Sequence, residues 1–503
     1  MKQSCLLILL FIISLDARSQ LDVTKSWDFR YGGEGFEFPS TLLKTSDKGF
    51  LIGGGSLSSQ GYEKSDSVRT GLDYWIIKTD SVGNKIWDKT YGGPETDNLS
   101  TMIQLPDSGF LLGGYSLSSI GGEKSQDNFG YPVIAYDYWI IRIDKNGNMI
   151  WDRSFGGDKK DMLNALLALP DGSFILGGYS FSDSTGDMSH SKYGDNDYWV
   201  IKVDSNGNKI WDYNYGGEYD DRLFALALTE DKEVILAGYS NSPAGALKSQ
   251  GPCNNSYDYW IVKINSDGVK LWDKTFGGTS KDYLSCMTIM PGGKMFFCGS
   301  SFPGPGCDKS QSNWGSLGYT DFWVVCTDSS GNKLWDKRYG GDRNEDDLNN
   351  VAITNEGLLL SGSSYSYITG DKTENNSLST EQPWIMSIDT LGNFLWDKTI
   401  HNPTHSEFGF GIQDDDGCFV VLSNVNSSGG YVSQTRNTSD DYWLGKFCRN
   451  EILAKADYLS SINSICQNTC IDFTNLSKNA TNFQWKFPGG TPSSDTSANP
   501  KGI

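Results

Sequence analysis

Histidine is almost missing from this sequence: His190, His401 and His405 are the only three in 503 residues. His401 and His405 stand four apart, which suits zinc on a helix, but Pro403 between them breaks a helix and no third ligand has matching spacing. No Ser-His-Asp spacing for nucleophilic catalysis can be argued, and no Gly-Lys-Ser/Thr phosphate loop is present. An Asp-x-Asp-x-Asp-Gly calcium loop with a distal Glu is also lacking. Cationic residues are in the minority, 42 Lys+Arg against 62 Asp+Glu, for a formal charge of -20. Such a field repels phosphate backbones and anionic lipid, so nucleic acid and bare membrane are poor partners. Long apolar runs are confined to residues 6–15, too short to anchor a chain across a bilayer.

That run follows Lys2 and precedes Ala17-Arg18-Ser19, so residues 1–19 read as an export signal cleaved before Gln20. Cys5 lies before the run, not at the cleavage point, so it is not placed for lipid attachment. The expected location is secreted or on the outer cell surface.

What the chain has in excess is glycine (58) and aromatic residues, at 13%. They are ordered. A tryptophan recurs roughly every 60 residues, at Trp27, Trp87, Trp151, Trp211, Trp272, Trp335 and Trp396. A second series runs Trp75, Trp139, Trp199, Trp260, Trp323, Trp384 and Trp443. Between the two lie a strand apolar on both faces, such as Trp139-Ile140-Ile141-Arg142-Ile143, and an Asn-Gly turn. Each repeat reads as four antiparallel strands, and radial repetition of such units is a β-propeller. One strand at residues 26–31 precedes six complete sets, and a set of three follows. The fold class is therefore all-β: a seven-bladed propeller over residues 25–448, with residues 26–31 completing the last blade beside residues 442–447. The loop after the second strand of each blade is long, and it shares a face with the inter-blade loops.

The recurring units Asp-Tyr-Trp-Ile-Ile-Lys, Gly-Asn-Lys-Ile-Trp-Asp-Lys and Tyr-Gly-Gly, with residues 370–375, resemble secreted repeat proteins of the Bacteroidetes. That resemblance implies export, PKD domains after the propeller and a C-terminal sorting domain of the type IX secretion pathway; no such sorting domain is found here. Residues 449–464 read as a linker. Residues 465–503, with Trp485-Lys486-Phe487, Gly489-Gly490 and Asn499-Pro500, resemble the first part of a PKD domain, an immunoglobulin-like sandwich.

Repetition separates holding residues from binding ones. Asp88, Asp152 and Asp212, with Asp28, Asp273, Asp336 and Asp397, follow the tryptophans in every repeat, so they cap turns or pair across strands. Asp97, Asp161, Asp221, Asp282 and Asp346 follow each Gly-Gly break and close the loop between blades; calcium is the sharper alternative. Acidic neighbours such as Asp220-Asp221 and Asp346-Asp347 are numerous enough to arise by chance. Aromatic residues that do not repeat are the better ligand candidates: Trp314, Tyr257, Tyr131, Tyr193 and Tyr319 stand among short polar residues in the long loops. Their rings either stack on a ligand or pack the loops together.

The expected function is a non-catalytic extracellular binding or adhesion module, expected as a monomer, recognising carbohydrate or a surface protein without a cofactor. A polysaccharide hydrolase or lyase and a passive spacer are the alternatives. Export permits disulfides. Cys418 with Cys448, Cys253 with Cys307, and Cys286 with Cys298 are the expected pairs, Cys326 competing for Cys298 and Cys466 or Cys470 needing a partner further on.

Overall fold

A computed structural model describes residues 23–449 apart from 130–134, 303, 316–317, 344–347, 377–379, 403–405, 407 and 436–438, and also 458–460, 472–475, 485–486, 491–497 and 499–501. The signal segment, Tyr131, His405, Asp346, Asp347, Cys466 and Cys470 lie outside these residues. Two compact units result, Lys25–Cys448 and Met1–Thr24 with Arg449–Ile503.

The first unit is the expected seven-bladed propeller. Six four-stranded sheets follow chain order, for example Asp97–Gln104, Phe110–Ser116, Asp137–Ile143 and Met149–Phe155 in blade 2. The four positions are called a, b, c and d. Strand a of each blade touches strand a of the next around the ring, including Phe410–Gln413 against Glu37–Lys44, so a is innermost and d outermost. The seventh sheet joins Val23–Tyr31 to Asp441–Arg449, Phe419–Val425 and Phe410–Gln413, so the opening strand supplies strand d of the last blade.

Strand c is buried along its whole length in every complete blade because sheets cover both its faces. The core accordingly lies between blades. Ile140 of blade 2, for instance, shares a cluster with Leu163, Leu176, Trp199 and Ile201 of blade 3. A chain of aromatic pairs runs through these interfaces. The strand-c tyrosine of one blade meets the strand-c tryptophan of the next: Tyr74 with Trp139 at 4.9 Å, and Tyr138 with Trp199, Tyr198 with Trp260 and Tyr259 with Trp323, each at 4.8 Å. Trp75 and Tyr442, at 5.0 Å, continue the series across the seam. Each pair contributes about 0.5–1.5 kcal/mol beyond the area it buries.

The aspartate after each outer tryptophan has one recurring task. Asp88 Oδ2 accepts the Trp75 indole N–H at 3.0 Å and the Ser65 backbone N–H at 2.8 Å, and Lys85 pairs with Oδ1. The carboxylate thus ties strand c, strand d and the long loop together. Asp152, Asp212, Asp273, Asp336 and Asp397 accept the corresponding indole N–H. At the seam Asp28, from the first strand, takes the Trp443 N–H at 3.0 Å.

Two of the expected disulfides are present. Cys253–Cys307 joins the loops of blades 4 and 5, and Cys418–Cys448 ties strands b and c of blade 7. The third is a correction: Cys286 and Cys298 are register partners across strands a and b, yet both are free buried thiols, as is Cys326. Directly opposed strand residues hold their Cβ atoms about 4.5–5.5 Å apart, mostly wider than the 3.5–4.5 Å a disulfide needs. Cys326 does not compete for Cys298, because its register partner is Phe296.

In the second unit Tyr458–Ser460 pairs with Phe473–Asn475, and Trp485–Lys486 pairs with Ser494–Asp495. The segment read as a linker therefore contains a strand.

Candidate functional site

The long loops are held down by a device that recurs around the ring. In each loop one residue takes a left-handed conformation: Tyr62, Gly122, Gly186, Ala246, Cys307, Gly370 and Gly430, with φ between 46° and 62°. In several blades the next residue donates its N–H to a carbonyl at the end of the preceding blade's strand d, as Glu123 does to Gly92 O and Asp371 to Gly340 O, both at 2.9 Å. The preceding loop sends a side chain back to the same spot. Arg69 reaches Glu123, Cys253 bonds Cys307, and Trp314 lies against Gly370. Arg69, Phe129, Tyr193, Cys253 and Trp314 each also donate a backbone N–H to the first aspartate of strand c.

Trp314 is thus one filling of a repeated slot. Its indole N–H goes to Asp371 Oδ2 at 3.0 Å, and the Arg338 guanidinium lies 4.7 Å from its ring. About half of the side chain remains exposed, at 51%. Tyr319 packs beside Gly315 of the same loop, and Tyr193 is exposed on blade 3. Tyr257 belongs to a different group.

The face departs from its seven-fold pattern on one side. The penultimate residue of strand b is Gly55, Tyr115, Tyr179, Tyr239, Ser300, Ser363 and Asn424 in turn, so only blades 2–4 carry rings there. Tyr239 meets Tyr283 at 4.9 Å, Phe224 at 5.2 Å and Tyr257 at 5.6 Å. Tyr283 continues to Phe302 at 6.3 Å. Tyr115 and Tyr136 form an edge-to-face pair at 5.0 Å on blade 2. The result is an aromatic arc at the long-loop end of blades 2–5. Sequence reasoning found Tyr257 alone among these rings; the signal for the rest was the change from tyrosine to serine at one strand-b position.

Arg222 stands within the arc on strand a of blade 4, 5.2 Å from the Tyr179 ring. It pairs with Asp220 at 3.1 Å, and its Nε has no hydrogen-bond acceptor. Asp220 Oδ2 also accepts the Tyr257 hydroxyl at 2.8 Å. Burial and then the Asp220 carboxylate raise the Tyr257 phenol well above its ordinary value, and burial pushes Tyr239 up to about 12. Both phenols therefore stay protonated and can donate.

Outside the arc lies a cleft of about 480 Å³ between blades 4 and 5, lined by Asn241, Asn254, Asn255, Tyr257, Ser280 and Phe302 among others. Asn254 and Asn255, with φ of 52° and 55°, follow Cys253 in a short turn found in no other blade among the described residues. Asparagine tolerates this conformation at small cost, and the Cys253–Cys307 bond fixes where the turn sits.

The inter-blade aspartates bond the chain itself. Asp97 Oδ2 takes the Gly93 N–H at 2.7 Å and the Ser118 hydroxyl at 2.9 Å, and Asp161, Asp221 and Asp282 take the matching glycine N–H. The opposing Asp73 carboxyl is pressed against Gly92 so closely that a methyl group would not fit between them. Asp416, Cys418 and Cys448 cluster, but the two sulfurs are bonded to each other. Paired thiolate ligands are unavailable there because neither sulfur is a thiolate. His190 stacks on Tyr213 at 5.0 Å and His401 on Tyr431 at 6.0 Å, in separate loops.

No family model matches the chain. A stretch of 217 residues is 21% identical to the regulatory protein FlaEY of Caulobacter vibrioides, covering 41% of this chain and 22% of that protein, so the chain spans far less than two thirds of that relative. Among solved structures, the WD40 domain of Neurospora crassa Pan2 aligns over 84% of this chain and 95% of its own, at 9% identity and a TM-score of 0.45. The WD40 propeller domain of Doa1 aligns over 86% and 98%, at 10% identity and a TM-score of 0.45.

Proposed function

We propose that the protein is an exported, non-catalytic binding module that recognises carbohydrate at the outer cell surface through the long-loop face of its propeller. The observation that carries this reading is the aromatic arc of Tyr239, Tyr257, Tyr283 and Phe302, which breaks the ring's repetition on one side. Half-buried rings beside amides, hydroxyls and one ion pair match the amphipathic faces of a sugar, whose C–H surface stacks and whose hydroxyls hydrogen-bond. The apolar leader at residues 6–15 and the two disulfides support export, since such bonds persist in oxidising compartments. The charge of -20 disfavours nucleic acid as the partner. The segment after the propeller extends the proposal to a PKD-like domain in a type IX exported protein of the Bacteroidetes kind, the module acting as a monomer.

The test is a glycan array probed with the chain lacking residues 1–19, paired with a reducing-sugar assay on every glycan retained. Retention without new reducing ends is the expected result. Silence across the array rejects carbohydrate recognition, and steady release of reducing ends replaces the binder by a hydrolase.

A further inference from the structure

The cleft between blades 4 and 5 has a chemistry narrower than carbohydrate in general. Amides, hydroxyls and two rings line it, and Lys281 is its one charged lining residue among the described residues. Asn254 and Asn255 each offer a donor and an acceptor, the combination that reads a sugar hydroxyl from either side, while Asn241 Oδ1 already accepts the Asp220 N–H at 2.9 Å and leaves its amide N–H groups as donors. Next to the cleft, Arg222 is already neutralised by Asp220, so it supplies a donor without supplying net charge. The Tyr257 hydroxyl is fixed by the same carboxylate, which sets the ring's orientation before any ligand arrives. The Cys253–Cys307 bond and the left-handed Asn254 and Asn255 fix the turn that leads into Tyr257. A pocket of about 480 Å³ falls within the ordinary range for small ligands, roughly 300–1,000 Å³.

We infer that this cleft is a subsite for a neutral sugar unit of a longer glycan, with Tyr257 as its stacking platform, Asn254 as a hydroxyl partner and Asp220, beside the cleft, as the residue that positions Tyr257. The inference rests on the carbohydrate-binding reading above and adds the place and the charge class. An acidic sugar is disfavoured because its carboxylate would enter beside Asp220 within a strongly acidic molecule, and the lining cation, Lys281, is exposed and its charge screened by solvent. A pre-shaped wall reduces the ordering cost of binding, which is the advantage of placing the subsite on a disulfide-fixed turn.

Cellohexaose, xylohexaose, mannohexaose and hexagalacturonate are titrated by calorimetry into the chain lacking residues 1–19, then into Tyr257→Ala, Asp220→Asn and Asn254→Ala. Ile86→Ala, on an exposed site of an outer strand, is the control. At least one neutral hexamer is expected to bind. Tyr257→Ala and Asp220→Asn should weaken it about tenfold or more, and hexagalacturonate should bind at least tenfold more weakly than that hexamer. Near-UV circular dichroism of each variant separates loss of the site from loss of the fold, and Asn254→Ala provides a second reading if Tyr257→Ala fails to fold. Tightest binding to hexagalacturonate overturns the neutral-sugar inference. A neutral hexamer bound equally by all folded variants overturns the location; in both cases carbohydrate recognition stands. No binding by any hexamer, with a silent array, removes both.

Discussion

Gly147, in the turn between strands c and d of blade 2, lies beneath the ring of Trp87 from the blade before it. A methyl group placed on Gly147 would meet the Trp87 ring at 3.1 Å and Lys89 Cγ at 2.8 Å. The Gly147 carbonyl accepts the Tyr91 hydroxyl at 2.6 Å, so the preceding blade grips one turn twice. Gly83 stands similarly under Trp27, Gly207 under Trp151, Gly268 beside Trp211, Gly331 under Trp272 and Gly392 under Trp335. The tryptophan repeat and the Asn-Gly repeat are therefore two halves of one inter-blade contact.

Gly147→Ala tests this contact. Alanine must adopt a φ of +80° and push against the ring, which together should cost about 1–3 kcal/mol. The comparison is Gly172→Ala, where φ is +83° but nothing lies within 4 Å of the added carbon. Chemical denaturation should show a larger loss at Gly147; equal losses would reduce both glycines to their backbone angle.

The left-handed slot of the long loops predicts a gain. Ala246 holds it at φ +46°, where glycine would carry no Cβ penalty. Ala246→Gly should stabilise the ring by about 0.5–1 kcal/mol, the relief of strain exceeding the added freedom of the unfolded chain. An unchanged or lower denaturation midpoint would show that the Ala246 methyl group makes a compensating contact.

Much of this was legible because it repeats. Blade count, strand order and closure by the first strand follow from the two tryptophan series, and the Asp88 series was placed as structural from recurrence alone. The loop slot was not legible, since Arg69, Phe129, Cys253 and Trp314 have no side-chain type in common. What they share is a backbone N–H on a strand-c aspartate and a place at the next blade's loop. The arc was hidden for the opposite reason: Tyr115, Tyr179 and Tyr239 sit at a regular strand position and read as core. Cys286 and Cys298 met in register as expected, but strand geometry keeps them as thiols.

Ring closure depends on Val23–Tyr31, which brings Asp28 to Trp443 and Arg30 to Asp441 in a buried pair at 2.6 Å. A chain beginning at Gly32 should lose its fold, because it exposes the edge of Asp441–Arg449 and takes the Arg30 guanidinium away from the buried Asp441 carboxylate, a loss of about 3–5 kcal/mol. A synthetic peptide of residues 21–33 should restore it. Size-exclusion chromatography with thermal melting reads both; a truncated chain that melts as the whole chain does would mean the strand is dispensable.

The buried carboxyls set a pH dependence. Burial raises Asp137 and Asp258 to about 8, and Asp73, Asp161, Asp197 and Asp321 to about 7, with fewer protein donors than the desolvation requires. A carboxyl raised in the folded state holds its proton more tightly there than when unfolded. Its contribution is therefore complete below about pH 4 and is lost as pH rises through 7–8. Asp88, Asp212 and Asp273 are net lowered by their Lys, Ser and Trp hydrogen bonds despite the opposing effect of burial, so their contribution is lost only in acid, below about pH 4. Lys64, Lys124, Lys248 and Lys309, lowered by burial to about 8, keep a constant cost up to about pH 7 and begin to be relieved of it as pH approaches 8, a smaller effect of opposite sign to that of the carboxyls. Tm should accordingly be higher at pH 5 than at pH 8 at fixed ionic strength, and Asp137→Asn should flatten the slope. A Tm that rises with pH over this window would show that these carboxyls are ionised in the folded ring.

Trp314 distinguishes holding from binding on the same face. Its indole N–H is committed to Asp371, its ring lies by Arg338, and its flank touches Gly370, so it spans blades 5 and 6 as the disulfide spans blades 4 and 5. Trp314→Ala removes these contacts and leaves Arg338 with Asp371 and Asp321. The expected cost is about 1–3 kcal/mol in denaturation, with affinity for a retained glycan within about twofold of the parent. Tyr257→Ala should show the reverse pattern, a small change in stability and a large change in affinity, because the ring is only half-buried and lines the cleft between blades 4 and 5. If Trp314→Ala abolishes glycan binding while the melting curve is unchanged, the ligand lies on the blade 5–6 side of the face and Trp314 is its platform.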